Sequence, residues 1–379
     1  MTAEGSILVT GTNGTLGAKI VATIVGNTAN AAKYHGLYTV RNVDGASNLK
    51  SVLAKSPKVH KHDVLALDLD RLQSVRDVAN DIKTRVATGK LPPIRALIWN
   101  AGFQEQSTQT FTEDGFDTTF QANYLSHWLL TVLLLGSMDK DHGRVVVVGS
   151  WSHEYDVPYA WYLCPAMVPC TDLLTGWLHF STADKNNEFG GQTYYSDEKW
   201  KTLFTDTKSL AYGTFSPPDG DPTGDAGIRR YGAAKLCEVM MIREMQERFD
   251  KDPVLSNLSI LGVDPGGMPT TLLRRGNFWF AQPLAAKFIT TPLSYAWSMI
   301  ESNSVMRPAS KSARDVLRAA LESTPPPMSE HPKGLYFNGN APILQGAEAR
   351  DPAKTGALWR DSVKFTGIDE HDMVLKAWN

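Results

Sequence analysis

The stretch Ile7–Val25, ILVTGTNGTLGAKIVATIV, decides how the rest of the chain is read. It opens on a short apolar run of the kind a buried strand needs. It closes on residues whose apolar members recur at helical spacing. Between the two lie Gly11, Gly14 and Gly17. Glycines at such a place let the backbone turn sharply and approach a ligand closely, and the following helix N-terminus offers free N–H donors and the positive end of a dipole. Strand, glycine-rich turn and helix in that order suit a pyrophosphate, so Gly11, Thr12, Asn13, Gly14, Thr15, Leu16 and Gly17 are candidate dinucleotide ligands. A glycine trio alone also marks an ordinary tight turn, so the remainder of the chain must decide.

Outward from that turn the alternation continues. VLALD (from Val64) precedes the amphipathic RLQSVRDVANDIKTRV, and IRALIW (from Ile94) precedes FDTTFQANYLSHWLLTVLLLG. RVVVVGS (from Arg144) is a continuous β-branched run, as expected of a strand covered on both faces. LSILGVDPGG (from Leu258) is another. Strand and helix repeated in this way predict an α/β, doubly wound parallel sheet in a single Rossmann-type domain over 1–379. SARDVLRAAL (from Ser312) reads as a helix, GLYFNG (from Gly334) as a last strand, and ALWRDSVKFTG (from Ala357) as a peripheral helix.

The 379 residues carry a formal charge of −2, with 42% hydrophobic and 21% charged residues, which gives no reason to expect nucleic acid as a partner. The N-terminus has no basic leader, and no run reaches a membrane span's roughly 18 apolar residues. Three cysteines, Cys164, Cys170 and Cys237, fit neither a disulfide framework nor paired metal-ligand spacing, so no metal is expected and a reducing, cytoplasmic setting is.

The rhythm breaks over 151–228. Between Trp151 and Trp200 there are eleven aromatics in fifty residues, against 9% for the whole chain. A structureless loop of that length is unusual, so an inserted aromatic-rich subdomain is expected.

Directly after this segment stands YGAAK, Tyr231 to Lys235. Positions i and i+4 share a helix face, which puts a phenol beside an ammonium. Such a pair is also common on surfaces. As chemistry, a cation beside a phenol of pKa about 10 favours the phenolate. A drop of about 3 units needs roughly 4 kcal/mol of differential stabilisation. At the end of the second strand Arg41 replaces the acid that would bind a ribose 2′-hydroxyl, which favours a 2′-phosphate and hence NADPH/NADP+.

Taken together, TGTNGTLG, LDLD (from Leu67), NAG (Asn100–Gly102), QANYLSHWLLT around Asn123, VVVVGS ending at Ser150, YGAAK and DPGGMPTT (from Asp264) resemble the short-chain dehydrogenase/reductase family, in the family's order over about 5–150 and 228–275. The resemblance implies a catalytic set of Asn123, Ser150, Tyr231 and Lys235. Tyr231 gives a proton to the developing alkoxide, Ser150 holds the carbonyl oxygen, Lys235 also binds the nicotinamide ribose, and Asn123 anchors a water in a relay to Lys235. It further implies that Asp68 contacts adenine, although a helix N-cap is the plainer reading of that acid. Asn100, Ala101 and Gly102 line the adenosine side, Pro265 and Gly266 bend under the nicotinamide, and Thr270 binds its carboxamide. The family often dimerises through the helices starting near Asn123 and Tyr231, a surface the insertion is placed to obstruct.

Two departures from the family pattern stand out. Thr15 occupies the place of the usual second glycine. Ser150 and Tyr231 lie 231 − 150 = 81 residues apart, against about a dozen in the family. An insertion leaving the sheet at Ser150 and returning at Tyr231 must lie at the mouth of the site, where Trp151 and Tyr155 are the candidate substrate contacts. Residues 272–308 are expected to cap the substrate from the other side. The expected function is NADPH-dependent reduction of a carbonyl on a bulky hydrophobic or ring-containing substrate. The alternatives are an enone C=C reductase on the same scaffold and a non-catalytic NADPH-binding regulatory protein.

Overall fold

In a computed structural model, residues 3–154, 193–195, 197–268, 291–304, 306–376 and 378 are described. Their frame is one eight-stranded sheet, ordered β3-β2-β1-β4-β5-β6-β7-β8. The strands are β1 (Gly5–Val9), β2 (Tyr34–Val40), β3 (His62–Ala66), β4 (Ile94–Trp99), β5 (Arg144–Val148), β6 (Ser259–Asp264), β7 (Tyr336–Asn338) and β8 (Ala341–Ile343). All neighbouring pairs are parallel except the last, where β8 folds back antiparallel on β7. The sequence reading did not foresee β8.

Successive side chains of a strand point to opposite faces, and the core divides accordingly. Leu97, Trp99, Val145 and Val147 belong to one apolar cluster, and Ala96, Ile98, Val146 and Val148 to the other. The second cluster is closed by α1 (Thr15–Gly26), α3 (Ser47–Leu53) and the helix Ala309–Leu321; a short helix, α2 (Thr28–Lys33), links α1 to β2. The first is closed by α4 (Leu72–Ala87), by α5 (Thr118–Phe120) running through a π turn at Gln121–Leu125 into α6 (Ser126–Leu134), and by the long helix α8 (Ala226–Lys251), which follows the short α7 (Thr207–Ala211).

The expectation of a peripheral final helix needs correction. The helix Pro352–Thr366 packs into the first core: Trp359 is fully buried, meets Trp128 edge to face with ring centres 5.1 Å apart, and lies under the Arg248 guanidinium at 4.2 Å. Tyr124 Oη and Ser362 Oγ are 2.6 Å apart. Every residue from Phe116 to Leu135, and every residue from Tyr231 to Ile242, is buried within the single chain. The amphipathic pattern was legible, but what its apolar side would meet was not.

Candidate active site

Candidate groups converge at the carboxyl ends of β1, β4, β5 and β6, where a doubly wound sheet places its ligands. After β1, Gly11 sits at φ +67°, and a Cβ there would lie 2.8 Å from Ala101 Cα. A Cβ on Gly17 would come within 2.4 Å of Gly11 O, so glycine is what lets α1 start this close to the turn. Thr15 is simply the first residue of α1, with Gly14 as its N-cap at φ −70°. Thr12 is buried and donates to Thr39 O at 3.0 Å. Asn13 accepts from Asn48 N at 3.0 Å and Leu49 N at 3.3 Å, tying the turn to α3.

At the end of β4, Asn100 Nδ2 donates to Thr10 O at 2.7 Å, and Ala101 N donates to Thr10 Oγ1 at 2.9 Å. Gly102 is exposed. Asn100 Oδ1 is buried with no hydrogen-bond partner. This unpaired acceptor and the glycine-lined turn ahead of the α1 N-terminus supply the polar groups and backbone donors a dinucleotide takes, so the residues present fit one.

Arg41 is 56% exposed and pairs with two acids, Asp68 at 3.5 Å and Asp70 at 3.2 Å. Asp68 is not a helix cap: α4 begins at Leu72, and the Asp68 carboxylate accepts from Asp70 N at 3.2 Å.

The opposite end brings together residues remote in sequence. Ser150 lies two residues beyond β5, and its hydroxyl is near enough to the Tyr231 phenol, 81 positions further along the chain, to favour that phenol's ionised form. Ser150 Oγ also accepts from Ser152 Oγ at 3.0 Å. Tyr231 is 8% exposed, and Lys235 Nζ lies 5.6 Å from its ring centre. Lys235 donates to Val148 O at 2.9 Å and to both carboxylate oxygens of Glu238 at 3.0 Å. Trp151 begins a short 3-10 turn over which Ser150 acts as cap, and it is half-buried. His153 in that turn is buried, bonded to Ser150 O and, at 3.1 Å, to Glu154. After β6, Gly266 at φ +73° donates to Asp264 Oδ1 at 2.8 Å, and Pro265 O accepts from Ser312 at 2.6 Å.

The electrostatics differ from expectation. Burial pushes the Tyr231 phenol above its ordinary value; Lys235 and Ser150 oppose this, while Glu238 and Asp264 reinforce it. The local spacing correctly supplied a cation, but the net shift is upward, because desolvation and two acids outweigh it.

Asn123 lies in the π turn with its side chain fully occupied. Oδ1 accepts from Phe103 N at 3.0 Å, and Nδ2 donates to Phe103 O at 2.8 Å and Thr119 O at 2.6 Å. Its main-chain carbonyl faces His127 Nδ1 at 2.6 Å, and His127 Nε2 meets Thr10 Oγ1 at 2.9 Å. Burial lowers His127 to about 4, so the ring is neutral. Nδ1 facing a carbonyl must then carry the hydrogen, and Nε2 accepts from Thr10. Asn123 therefore clamps the Phe103 loop and, through His127, the β1 end.

Residues that sequence reasoning missed are Glu238, His127 and the buried arginines ahead of Tyr231. Arg229 pairs with Asp221 at 2.6 Å and Arg230 with Asp117 at 3.2 Å, pinning the start of α8. An acid at i+3 from Lys235, in the otherwise apolar LCEVMM, was the readable sign of Glu238. Tyr155, Thr270, half of the 151–228 insertion (155–192 and 196) and most of the 272–308 cap (272–290 and 305) lie outside the described residues. Among the described residues no cluster of His, Cys, Asp or Glu can hold a metal ion, and no helix is long and apolar enough to cross a membrane.

The fold and this constellation define a nicotinamide-type oxidoreductase scaffold. The family model described as short chain dehydrogenase matches residues 6–162. The short-chain dehydrogenase iccH of Talaromyces variabilis is 46% identical over the whole of both chains. The chain belongs to the short-chain dehydrogenase family and is an oxidoreductase. The WW domain-containing oxidoreductase of Danio rerio is 27% identical, over 95% of this chain and 68% of its own. Among solved structures, the NADPH-bound carbonyl reductase from chicken fatty liver superposes with a TM-score of 0.52 at 14% identity, covering 91% of this chain and 100% of its own. At that identity the likeness concerns the fold.

Proposed function

We propose that the chain is an NADPH-dependent ketoreductase that converts the carbonyl of a bulky hydrophobic or ring-containing substrate to an alcohol. The observation that carries this reading is that Ser150, Tyr231 and Lys235 come together at the carboxyl end of the sheet. The 2′-phosphate preference rests on Arg41, and the substrate class on the aromatic richness of Trp151–Trp200. A cytoplasmic setting is consistent with Cys237 being a free thiol.

The Gly11–Gly17 turn and the α1 N-terminus would hold the pyrophosphate, Arg41 the 2′-phosphate, Asp68 and Asn100–Gly102 the adenosine side, and Lys235, Pro265, Gly266 and Thr270 the nicotinamide end. Bound there, the reduced cofactor supplies a hydride. Ser150 holds and polarises the substrate oxygen. Tyr231, kept protonated by its surroundings, gives its phenolic proton to that oxygen as charge develops. Lys235 lowers the cost of the phenolate left behind. Asn123 fixes the loop at Phe103 and the β1 end. By the same reading, Trp151 and Tyr155 would contact the substrate, the rest of 151–228 would wall the mouth, and residues 272–308 would cap the other side. Support for that placement comes from Tyr195, whose phenol reaches Ser152 O at 3.0 Å.

The test is NADPH oxidation against a panel of aromatic and alicyclic ketones, with product analysis. An alcohol product, lost on Tyr231→Phe by at least about a hundredfold, is expected of a general acid. A saturated ketone from an enone would favour C=C reduction instead. Cofactor binding without turnover of any carbonyl would point to a regulator. Full activity in Tyr231→Phe would remove the assigned proton donor.

A further inference from the structure

Behind Lys235 lies an acid that the chemistry above does not use. Glu238 is one turn further along α8, its side chain 1% exposed, with both carboxylate oxygens 3.0 Å from Nζ. Tyr231, Lys235 and Glu238 stand at i, i+4 and i+7, on one helix face. They form a row of phenol, cation and anion in a dry interior, where unscreened charges act strongly. The cation favours the phenolate. The anion behind it favours the phenol and offsets part of the cation's field.

We propose that Glu238 is a positioning residue that anchors Lys235 and helps hold the Tyr231 phenol against ionisation, extending carbonyl reduction to more alkaline pH and raising the pH at which alcohol oxidation sets in. This rests on the reading of Tyr231 as proton donor. Reduction needs that phenol protonated before each turnover, whereas oxidation of the alcohol in the reverse direction needs it deprotonated.

The groups facing this row come from four elements. Asp264, at the end of β6, acts with Glu238 to raise both Tyr231 and Lys235. His153, in the turn after β5, favours ionised Glu238. His127 on α6 is neutral, and Cys237 on α8 is held as a thiol by burial and by Glu238. Burial pushes Glu238 up to about 7 despite Lys235, so it carries charge from neutral pH upward. Burial also disfavours the Lys235 ammonium, but Glu238, Tyr231 and Asp264 together reverse that and hold it charged.

Difference-absorbance titration of the cofactor-free protein tests this directly, with Tyr231→Phe subtracted to isolate one phenol among twelve. Glu238→Gln should move the Tyr231 ionisation down by about one pH unit, a tenfold change in the phenol-to-phenolate ratio. In turnover, the basic limb of the reduction profile and the acidic limb of the oxidation profile should both move down by a similar amount. A merely structural acid would lower stability without moving either. Should Glu238→Gln not fold, Glu238→Asn, which leaves room for a water beside the ammonium, carries the same expectation. If Tyr231→Phe is inactive and the Glu238 variants titrate as wild type, Glu238 does not set the phenol's state. If Tyr231→Phe is active, the proton-donor reading fails and this proposal with it.

Discussion

Tyr195 donates its phenolic hydrogen to the main-chain carbonyl of Ser152 at 3.0 Å, and Gly232 lies beneath that contact. A Cβ on Gly232 would come within 1.9 Å of Tyr195 Oη and 2.4 Å of Ser152 O. Gly232, directly after Tyr231, is thus what lets Tyr195 and Ser152 close against the start of α8. Gly232→Ala should cost about 1–3 kcal/mol by overpacking, and Tyr195→Phe about 1 kcal/mol. Because the phenol oxygen is the nearest obstacle, the double variant should lose less than the sum. Urea unfolding measures all three; strictly additive losses would mean the two side chains do not meet.

On the proposed reading, cofactor choice should depend on a shared guanidinium. Arg41 is held by Asp68 and Asp70, so a 2′-phosphate would have to compete with two carboxylates for it. Asp70→Asn should tighten NADP+ binding and leave NAD+ binding little changed. Arg41→Ala should weaken NADP+ roughly tenfold, the scale of one charge-assisted hydrogen bond at an exposed site. Fluorescence titration with both nucleotides decides it; equal effects on both would remove Arg41 from the 2′-phosphate.

Two buried groups pull the acid stability in opposite directions. His127 is lowered to about 4 by burial, so the unfolded chain binds its proton first and stability falls as pH drops from 6.5 toward 4. Glu238 is raised to about 7 by burial, so the folded chain binds its proton first and stability falls as pH rises from 4.5 toward 7. Over pH 4.5–6.5 the two slopes nearly cancel. Replacing His127 with Asn should expose the Glu238 slope: stability relative to wild type should fall by about 3 kcal/mol between pH 4.5 and 6.5. Unfolding free energies across that window measure it. Parallel curves for the two proteins would show that His127 is not a neutral buried ring.

Self-association through the family's usual helices is not expected. Phe116–Leu135 and Tyr231–Ile242 are buried inside one chain, partly by the Trp359 helix. The protein should sediment as a monomer, and Trp359→Ala should destabilise it by about 3–5 kcal/mol. A dimer that survives dilution and dissociates on changes along α6 or α8 would contradict this.

The alternation of apolar runs and amphipathic stretches was enough to foretell seven of the eight strands, because strand and helix periodicities are written in consecutive residues. Tyr231 and Lys235 were legible for the same reason, and Glu238, three residues further on, belonged to the same readable face. Ser150 was legible only as the end of a β-branched strand. That it meets Tyr231 across 81 residues depends on β5 and α8 packing side by side. Tyr195 over Gly232, and Trp128 against Trp359, had no sequence signal, since each contact joins elements whose separation along the chain carries no period.

By itself, the sequence determined the sheet class, the glycine-rich turn after β1 and the tyrosine–lysine spacing on α8. Each of these follows from backbone geometry over a few residues. The tertiary structure alone decided the direction in which Tyr231 is shifted and which of its neighbours is heard. Burial and fields arise from whatever other elements bring near: Asp264 from β6, Ser150 from β5, and the closing mass of protein that removes water from all of them.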